Sequence, residues 1–474
     1  MFKDTNKIFN VLVSWWFLRG LGLIYLGAFA SMFGQIAGLI GPDGILPLSE
    51  LLEKISLYFP EEKFRRFPCI FWFDHSINAL KSGCIVGMIA AGCLVINWFT
   101  RSALIVCYVL YLSLCTAGQD FTSFQWDIFL LESGFLAIFL TWHSRIIEFL
   151  YRLLVARFML MGGIVKIASG DPTWANLTAL NYHYLTQPLP SPLAYNVYFF
   201  PEWFHQLCTA GILFIELLVP ICVFMPRPFR LFAAWSFIIL QSSIILTGNY
   251  NFFNLLTLLL CLFLFEDNDL CKVTSKQLYN RIISQANYLP GRFATTCAGL
   301  WASVVILVLA TQIWMAQMHS QPAKPLLGLI QMTSTFGLIN NYGPFAVMTT
   351  VRNEVIIEGS MDGKNWREYE FKYKPGQLDK PLRWIIPHNP RLDWQLWFVP
   401  LGQTVPEWFH KFLYRLQQGS PDVLALLAKN PFPEQPPKAI RATLYQYDFV
   451  PPRQRAESGQ LWRRNKGVII ASID

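Results

Sequence analysis

Lys166, Asp127, Glu132, Arg157 and Glu216 are ionisable side chains set inside long apolar runs. A charge in such a run is costly, and it is usually paired or functional. A lysine in apolar surroundings can shed its proton and act as a general base. His183, in Asn181-Tyr182-His183-Tyr184, and His205, in Glu202-Trp203-Phe204-His205, suit acid–base or metal roles because imidazole titrates near neutral pH. They equally suit hydrogen-bonded positions in an interfacial belt with Trp174, Tyr182, Tyr184, Tyr195, Tyr198 and Trp203. Lys166, Asp127 and His183 are therefore the catalytic candidates, and Asp171, Trp174, Tyr182, Tyr184 and His205 the binding candidates. No metal site is expected, because the ten cysteines show no CxxC-type spacing; most lie in apolar spans as small buried thiols. No cofactor is expected either: the chain has no nucleophile elbow, Walker loop or dinucleotide fingerprint.

The elements that must position these residues are membrane spans. The 474 residues are 54% hydrophobic and 14% charged, with mean hydropathy +0.36. Soluble domains carry about a quarter charged residues. A spanning helix needs about 20 mainly apolar residues. Nine segments qualify, near 15–40, 79–97, 102–118, 124–142, 146–168, 206–225, 230–247, 251–266 and 297–318. The span at 146–168 is weakened by Glu148, Arg152, Arg157 and Lys166, and that at 251–266 is short. The first run is too long for a cleavable signal, and no signal peptide is evident.

Orientation follows from lysine and arginine, which collect on the cytoplasmic side. Lys166 and Arg227 bracket a stretch with neither residue, and this stretch holds the polar, proline-rich loop 169–205. An inside N-terminus, with Lys3 and Lys7, also puts Arg101, Arg145, Arg227, Arg230 and the basic residues between Lys272 and Arg292 inside. Loops near 119–123, 169–205 and 248–250, free of basic residues, then lie outside. The loop 41–78 objects, carrying Lys54, Lys63, Arg65 and Arg66 with four glutamates, and reads as an amphipathic surface segment. Nine spans place the C-terminus in the lumen of the endoplasmic reticulum or in the periplasm. Net charge is +8, but its cations are not clustered as a nucleic-acid patch would be, so no nucleic-acid partner is expected.

This topology gives each intramembrane charge a depth. Asp127 and Lys166 share the outer level, and Arg157 shares the middle with Glu132 and Glu216. Depth therefore allows Asp127 to pair with Lys166, and Arg157 with Glu132 or Glu216. Glu148 and Arg152 suit an i,i+4 pair. One reading makes these structural ion pairs; the other makes a polar cavity that opens outward, floored by Lys166 and Asp127.

The segment 330–474 reads as a separate soluble domain after a membrane domain 1–320. Glu354–Gly359 and Trp366–Tyr373 flank a turn containing Asp362-Gly363, a hairpin signal. In the second strand Tyr369, Phe371 and Tyr373 share one face, which is buried. Trp384–Ile386 and Trp394–Val399 are further strand candidates. Pro406–Gln418 has helical period, Ser420-Pro421 opens a second short helix ending near Asn430, and Ala439–Val450 reads as a returning strand. The expected fold is thus an α-helical polytopic bundle followed by an α+β, β-sandwich-like domain.

Gly170-Asp171-Pro172-Thr173-Trp174-Ala175-Asn176-Leu177-Thr178 and Asn181-Tyr182-His183-Tyr184-Leu185-Thr186-Gln187-Pro188-Leu189-Pro190 resemble the lipase maturation factor family. So do Trp203-Phe204-His205 and Glu216-Leu217-Leu218-Val219-Pro220. In the tail, Tyr369 to Gly376, Pro390-Arg391-Leu392-Asp393-Trp394 and Asn430-Pro431-Phe432 continue the likeness. Asn181 departs from it, standing where an acidic residue is usual. The resemblance implies a multi-pass membrane protein, with no cofactor, whose partners are the lipid bilayer and a secreted client such as a lipase. In eukaryotes it implies the endoplasmic reticulum, with the tail domain lumenal. More remotely, Lys166-Ile167 followed by Trp174 is similar to a lysine–tryptophan element of the vitamin K-dependent carboxylase superfamily, where the lysine is catalytic; the spacing here is longer. Two functions follow as expectations. The first is a non-enzymatic factor assisting secreted proteins, with Trp366, Trp394, Trp397 and Trp408 as client anchors or core residues. The second is a membrane enzyme working at Lys166, Asp127 and His183.

Overall fold

The computed structural model describes residues 9–285, 291–318, 322–465 and 467–473. Lys3 and Lys7, on which the inside reading of the N-terminus leans, lie outside the described residues. Helices occupy every predicted span, since an apolar run in a bilayer must satisfy its backbone within itself. Among the described residues five are long and apolar enough to cross a membrane: Val11–Phe33, Ile77–Val95, Thr100–Ala117, Arg227–Thr247 and Arg292–Met315. Gln125–Leu140, Arg145–Ala168, Glu202–Leu217 and Phe253–Leu264 stand at the other four predicted positions but are shorter or more charged. The first helix packs mainly on Ile77–Val95. Small residues allow this approach: Gly87 lies under the Phe29 ring and Gly134 under the Tyr25 hydroxyl, where a β-carbon would collide.

The connector 169–205 is not an open loop. It folds into the short helices Pro172–Ala175, Ala179–Thr186 and Pro192–Tyr198. Asp171 accepts from the Thr173 N–H at 2.8 Å, and Ser191 from the Ala194 N–H at 3.4 Å, each just before a proline at the first helical position. Loop 41–78 contains the helix Leu48–Tyr58, with Leu48 and Leu52 buried. Its Glu50 meets Lys411 of the tail at 2.6 Å.

Among the described residues the tail has seven strands: β1 (Arg352–Ser360), β2 (Trp366–Glu368), β3 (Glu370–Phe371), β4 (Leu427–Lys429), β5 (Ala439–Phe449), β6 (Trp462–Arg464) and β7 (Val468–Ile473). The predicted hairpin is present as β1–β2, and Tyr369 and Phe371 are buried as their alternation requires. The sheet order is β2-β1-β5-β6, with β7 also pairing β5, all antiparallel. A sandwich-like form was expected; β3 and β4 make only a two-stranded second sheet. The helix Glu407–Gln417, at its predicted place, contacts β5 and buries Phe409, Phe412, Leu413 and Leu416. Three tail expectations are corrected. Residues 384–386 form no strand. Trp394–Val399 is helical over Arg391–Leu396, started by Pro390 and buried on all sides, so no strand alternation exists to detect. The second short helix ends at Leu424, because Leu427–Lys429 pairs with β3. One apolar core runs from the first helix through Trp394 to Phe412 without interruption.

Candidate functional site

A cavity of about 360 Å³ lies where the helices Arg145–Ala168, Glu202–Leu217 and Arg227–Thr247 meet the start of the tail. Its volume is typical of small-molecule sites. Its wall is mainly apolar, with Phe, Trp and Tyr rings prominent, and its polar groups include Lys166, Glu216, Gln241, Asn254 and Tyr250. Lys166 Nζ donates to Glu216 Oε2 at 2.7 Å and to the Gly162 carbonyl at 3.1 Å, and sits 5.2 Å from the Trp174 ring centroid. Gly162 and Gly163 allow this geometry, since both pack against the Glu216–Leu217 turn.

The expected partnership of Lys166 with Asp127 is therefore corrected. Asp127 is fully buried away from the cavity, held by both Nη atoms of Arg391 at 2.9 and 2.8 Å and by the Tyr111 hydroxyl at 2.5 Å. Depth had matched Asp127 to a cation within the membrane helices; the tail supplies a better-oriented one, and a guanidinium grips a carboxylate with two parallel bonds. The Arg157–Glu132 pair is present as depth allowed. Glu132 also accepts from the Tyr342 hydroxyl at 2.7 Å and from the Asn340 side chain at 3.1 Å. Glu148 and Arg152 do not bond each other: Glu148 accepts from the Asn10 N–H at 2.7 Å, and Arg152 donates to the Phe263 carbonyl at 2.8 Å.

Of the binding candidates, Asp171, Trp174 and Tyr182 gather around one strap, residues 340–349. Asp171 accepts from the Met348 N–H at 2.6 Å, and Trp174 Nε1 donates to the Phe345 carbonyl at 3.1 Å. Tyr182 packs against Trp174 and Met348. Burial works to raise the Asp171 carboxyl, but the Met348 and Thr173 N–H groups outweigh it and hold the group below its ordinary range. His183 faces Phe345 edge-on, and its Nε2 lies 3.3 Å from the Tyr250 hydroxyl. Tyr184 lies between His183 and His205, with ring centroids 5.8 and 5.5 Å away. The two histidines thus flank one aromatic ring, edge-on and tilted, and belong to no metal-holding group among the described residues. Asp171, Trp174, Tyr184 and His205 are buried.

His183 retains a partly exposed edge, yet crowding strips its hydration, and the Lys166 charge adds to the effect; together they push it down to about 4. The unfolded imidazole titrates near 6.5. Between those values the unfolded chain binds a proton that the folded chain refuses. Stability from this group is full above pH 6.5 and falls as pH drops towards 4, by at most about 3 kcal/mol. Melting of the purified protein between pH 7.5 and 4.5 is expected to show this slope, and His183→Gln to flatten it. An unchanged slope in the variant would refute the assignment.

Sequence reasoning missed the side chains that join the tail to the connector. Arg352 is buried and donates to the carbonyls of Leu185 at 2.7 Å, Gln187 at 2.5 Å and Pro188 at 3.0 Å. Trp397 Nε1 donates to the Thr186 carbonyl at 2.7 Å. Tyr250, just before the helix Phe253–Leu264, holds the connector as well, donating to Gln187 Oε1 at 3.1 Å. Arg391 stood in a quoted motif, but nothing local names a partner 264 residues away. Of the tail tryptophans, Trp394 and Trp408 are buried, and Trp366 and Trp397 are half-buried.

A family model described as the lipase maturation factor transmembrane domain matches residues 12–272, and one described as the lipase maturation factor C-terminal domain matches 338–470. Lipase maturation factor 2 of Xenopus tropicalis is 34% identical, over 95% of this chain and 80% of its own length. Lipase maturation factor 2 of Homo sapiens is 32% identical over 94% of this chain and 80% of its own. Lipase maturation factor 1 of Mus musculus is 32% identical over 95% and 84%. No solved structure matches.

Proposed function

We propose a function from one premise: this chain belongs to the lipase maturation factor family. It is an integral membrane maturation factor that assists the folding or assembly of secreted proteins, lipases among them. All nine apolar helices cross the bilayer, residues 1–320 form the membrane part, and 330–474 form an exoplasmic domain. In a host with an endoplasmic reticulum, the protein sits in that membrane with its tail in the lumen.

The observation that carries this reading is the Arg352 contact. A buried guanidinium bonded to three carbonyls of residues 185–188 supports tail and connector occupying the same side of the membrane. The connector is the stretch purged of lysine and arginine, which supports that side being exoplasmic. Tail and connector then form one rigid platform facing the compartment through which secreted proteins pass. Asp171, Trp174, Tyr184 and His205 hold the platform in shape, and Tyr182 packs beside them; the client meets its outer surface. Lys166 serves as a fixed cation bonded to Glu216, which suits an ion pair better than a proton-accepting base.

A proximity-labelling enzyme fused after Asp474 tests both parts. Labelling of secretory-pathway proteins, with immature lipases enriched, is the expected result. Labelling confined to cytosolic proteins would overturn the topology. Secretory labelling without any lipase would overturn the lipase client.

A further inference from the structure

Arg383-Trp384-Ile385-Ile386-Pro387, in the tail, forms neither helix nor strand. Trp384 is 58% exposed, Arg383 and Pro387 are exposed, and Ile385 and Ile386 are half-buried. Two membrane helices fix this segment in place. Asn249, just past the end of Arg227–Thr247, donates to the Arg383 carbonyl at 2.9 Å and accepts from the Ile385 N–H at 2.8 Å. The Pro387 ring lies against Gly27 of the first helix, 3.5 Å from where a β-carbon would stand. Ser31 Oγ, one turn on, accepts from the Asn389 N–H at 3.0 Å. Gly27 stands about 9 Å short of the helix end at Phe33, at 1.5 Å of rise per residue. An exposed tail segment is thus held at the level where two spans leave the bilayer.

The residue types suit that level. A tryptophan ring is apolar with one polar edge, which favours the boundary between hydrocarbon and water. Irregular backbone near lipid must find its own hydrogen bonds. Here Asn249 supplies two, the His388 N–H donates to the Ile385 carbonyl at 2.9 Å, and Pro387 has no N–H to satisfy. One turn further into the bilayer the same two spans expose Leu23, at 58%, and Leu246, at 50%. Arg383 adds charge. Among the described residues its guanidinium has no carboxylate or carbonyl partner, and it lines a cleft of about 420 Å³ with Lys372 and Lys380. Of the two carboxylates there, Glu370 is paired with Lys429 at 3.2 Å, which leaves Asp379. Three cations against one free carboxylate attract an anion. At a membrane surface the anion at hand is a lipid phosphate, which a guanidinium meets with two parallel bonds.

We propose that residues 383–387 seat the tail on phospholipid. Trp384 enters the head-group layer of the leaflet on the tail's side, and Arg383 donates to the phosphate of a phospholipid whose head lies in the cleft. The tail is then held by lipid as well as by its contacts with the helices. The inference rests on Val11–Phe33 and Arg227–Thr247, both long and apolar enough to cross a membrane, and not on which side the tail occupies.

The test uses the unaltered full chain in phosphatidylcholine vesicles with a trace of phosphatidylcholine that carries a diazirine beside its ester. After irradiation, peptide mass spectrometry is expected to find lipid adducts on residues 383–387 as well as around Leu23 and Leu246, and none on the Asp362-Gly363 turn. Adducts on the two spans without any on 383–387 would overturn the seat. A diacylglycerol tracer with the same diazirine lacks the phosphate and is expected to label 383–387 about tenfold less, the worth of one charge-assisted hydrogen bond. Arg383→Gln, an exposed change, is expected to bring the two yields together. Equal yields in the unaltered chain would overturn the phosphate contact. Loss of the phosphatidylcholine preference in excess inorganic phosphate would reveal a site for the free anion and overturn the lipid. Adduct mass does not depend on the side the tail occupies, so a wrong topology would show only in the proximity-labelling fusion.

Discussion

Arg391→Met is expected to destabilise the protein by about 3–5 kcal/mol, the usual cost of leaving one member of a buried ion pair alone. Asp127 would then sit fully buried, with only the Tyr111 hydroxyl against it. Arg391 also donates to the Phe121 carbonyl at 2.7 Å, so its loss leaves that oxygen unbonded as well. Both partners lie on the membrane-helix side, while Arg391 belongs to the tail, and the damage should therefore concentrate at the joint. Thermal melting should drop, and limited proteolysis should release a tail fragment that the native chain protects. Arg391→Met combined with Asp127→Asn removes both charges and is expected to recover part of the loss. A single variant that melts within about 0.5 kcal/mol of wild type, the range of ordinary surface changes, would contradict this account.

Lys166→Met should have an effect of similar size for the same reason, about 3–5 kcal/mol. Glu216, whose one ion-pair partner among the described residues is Lys166, would be left unpaired at a mainly apolar site. It can escape part of the penalty by taking up a proton. The expected observation is a collapse in the yield of monodisperse protein, restored when Glu216→Gln is added, since the pair then becomes a methionine beside a neutral amide. A catalytic lysine would behave otherwise. Lys166→Met would then fold normally and lose activity alone, and Glu216→Gln would rescue nothing. Size-exclusion profiles of the two variants separate these outcomes without any assay of function.

Much of the architecture was legible because it is written locally. Each apolar run of about 20 residues forms a helix for reasons contained within that run. The hairpin around Asp362-Gly363 and the helix Glu407–Gln417 were visible for the same reason, as turn chemistry and periodicity act over a few residues. Trp394–Val399 misled because it begins inside the helix Arg391–Leu396, a short segment buried on all sides that has no period to distinguish helix from strand. The connector looked like a loop because its helices are one or two turns long and are set by prolines and caps that also occur in turns.

The sequence by itself determined that this is a multi-spanning membrane protein with a charged, strand-containing tail, and that its connector was cleared of basic residues. Only the tertiary structure decided which charges meet. A position along a span gives depth, one coordinate of three; rotation about the helix axis and the choice of neighbouring helix remain open. Arg157 found Glu132 as depth allowed, whereas Asp127 was taken by an arginine from the tail and Lys166 by Glu216. Those choices depend on how distant segments pack, because a charge-assisted hydrogen bond needs its two groups in direct, oriented contact, and no local pattern records that contact.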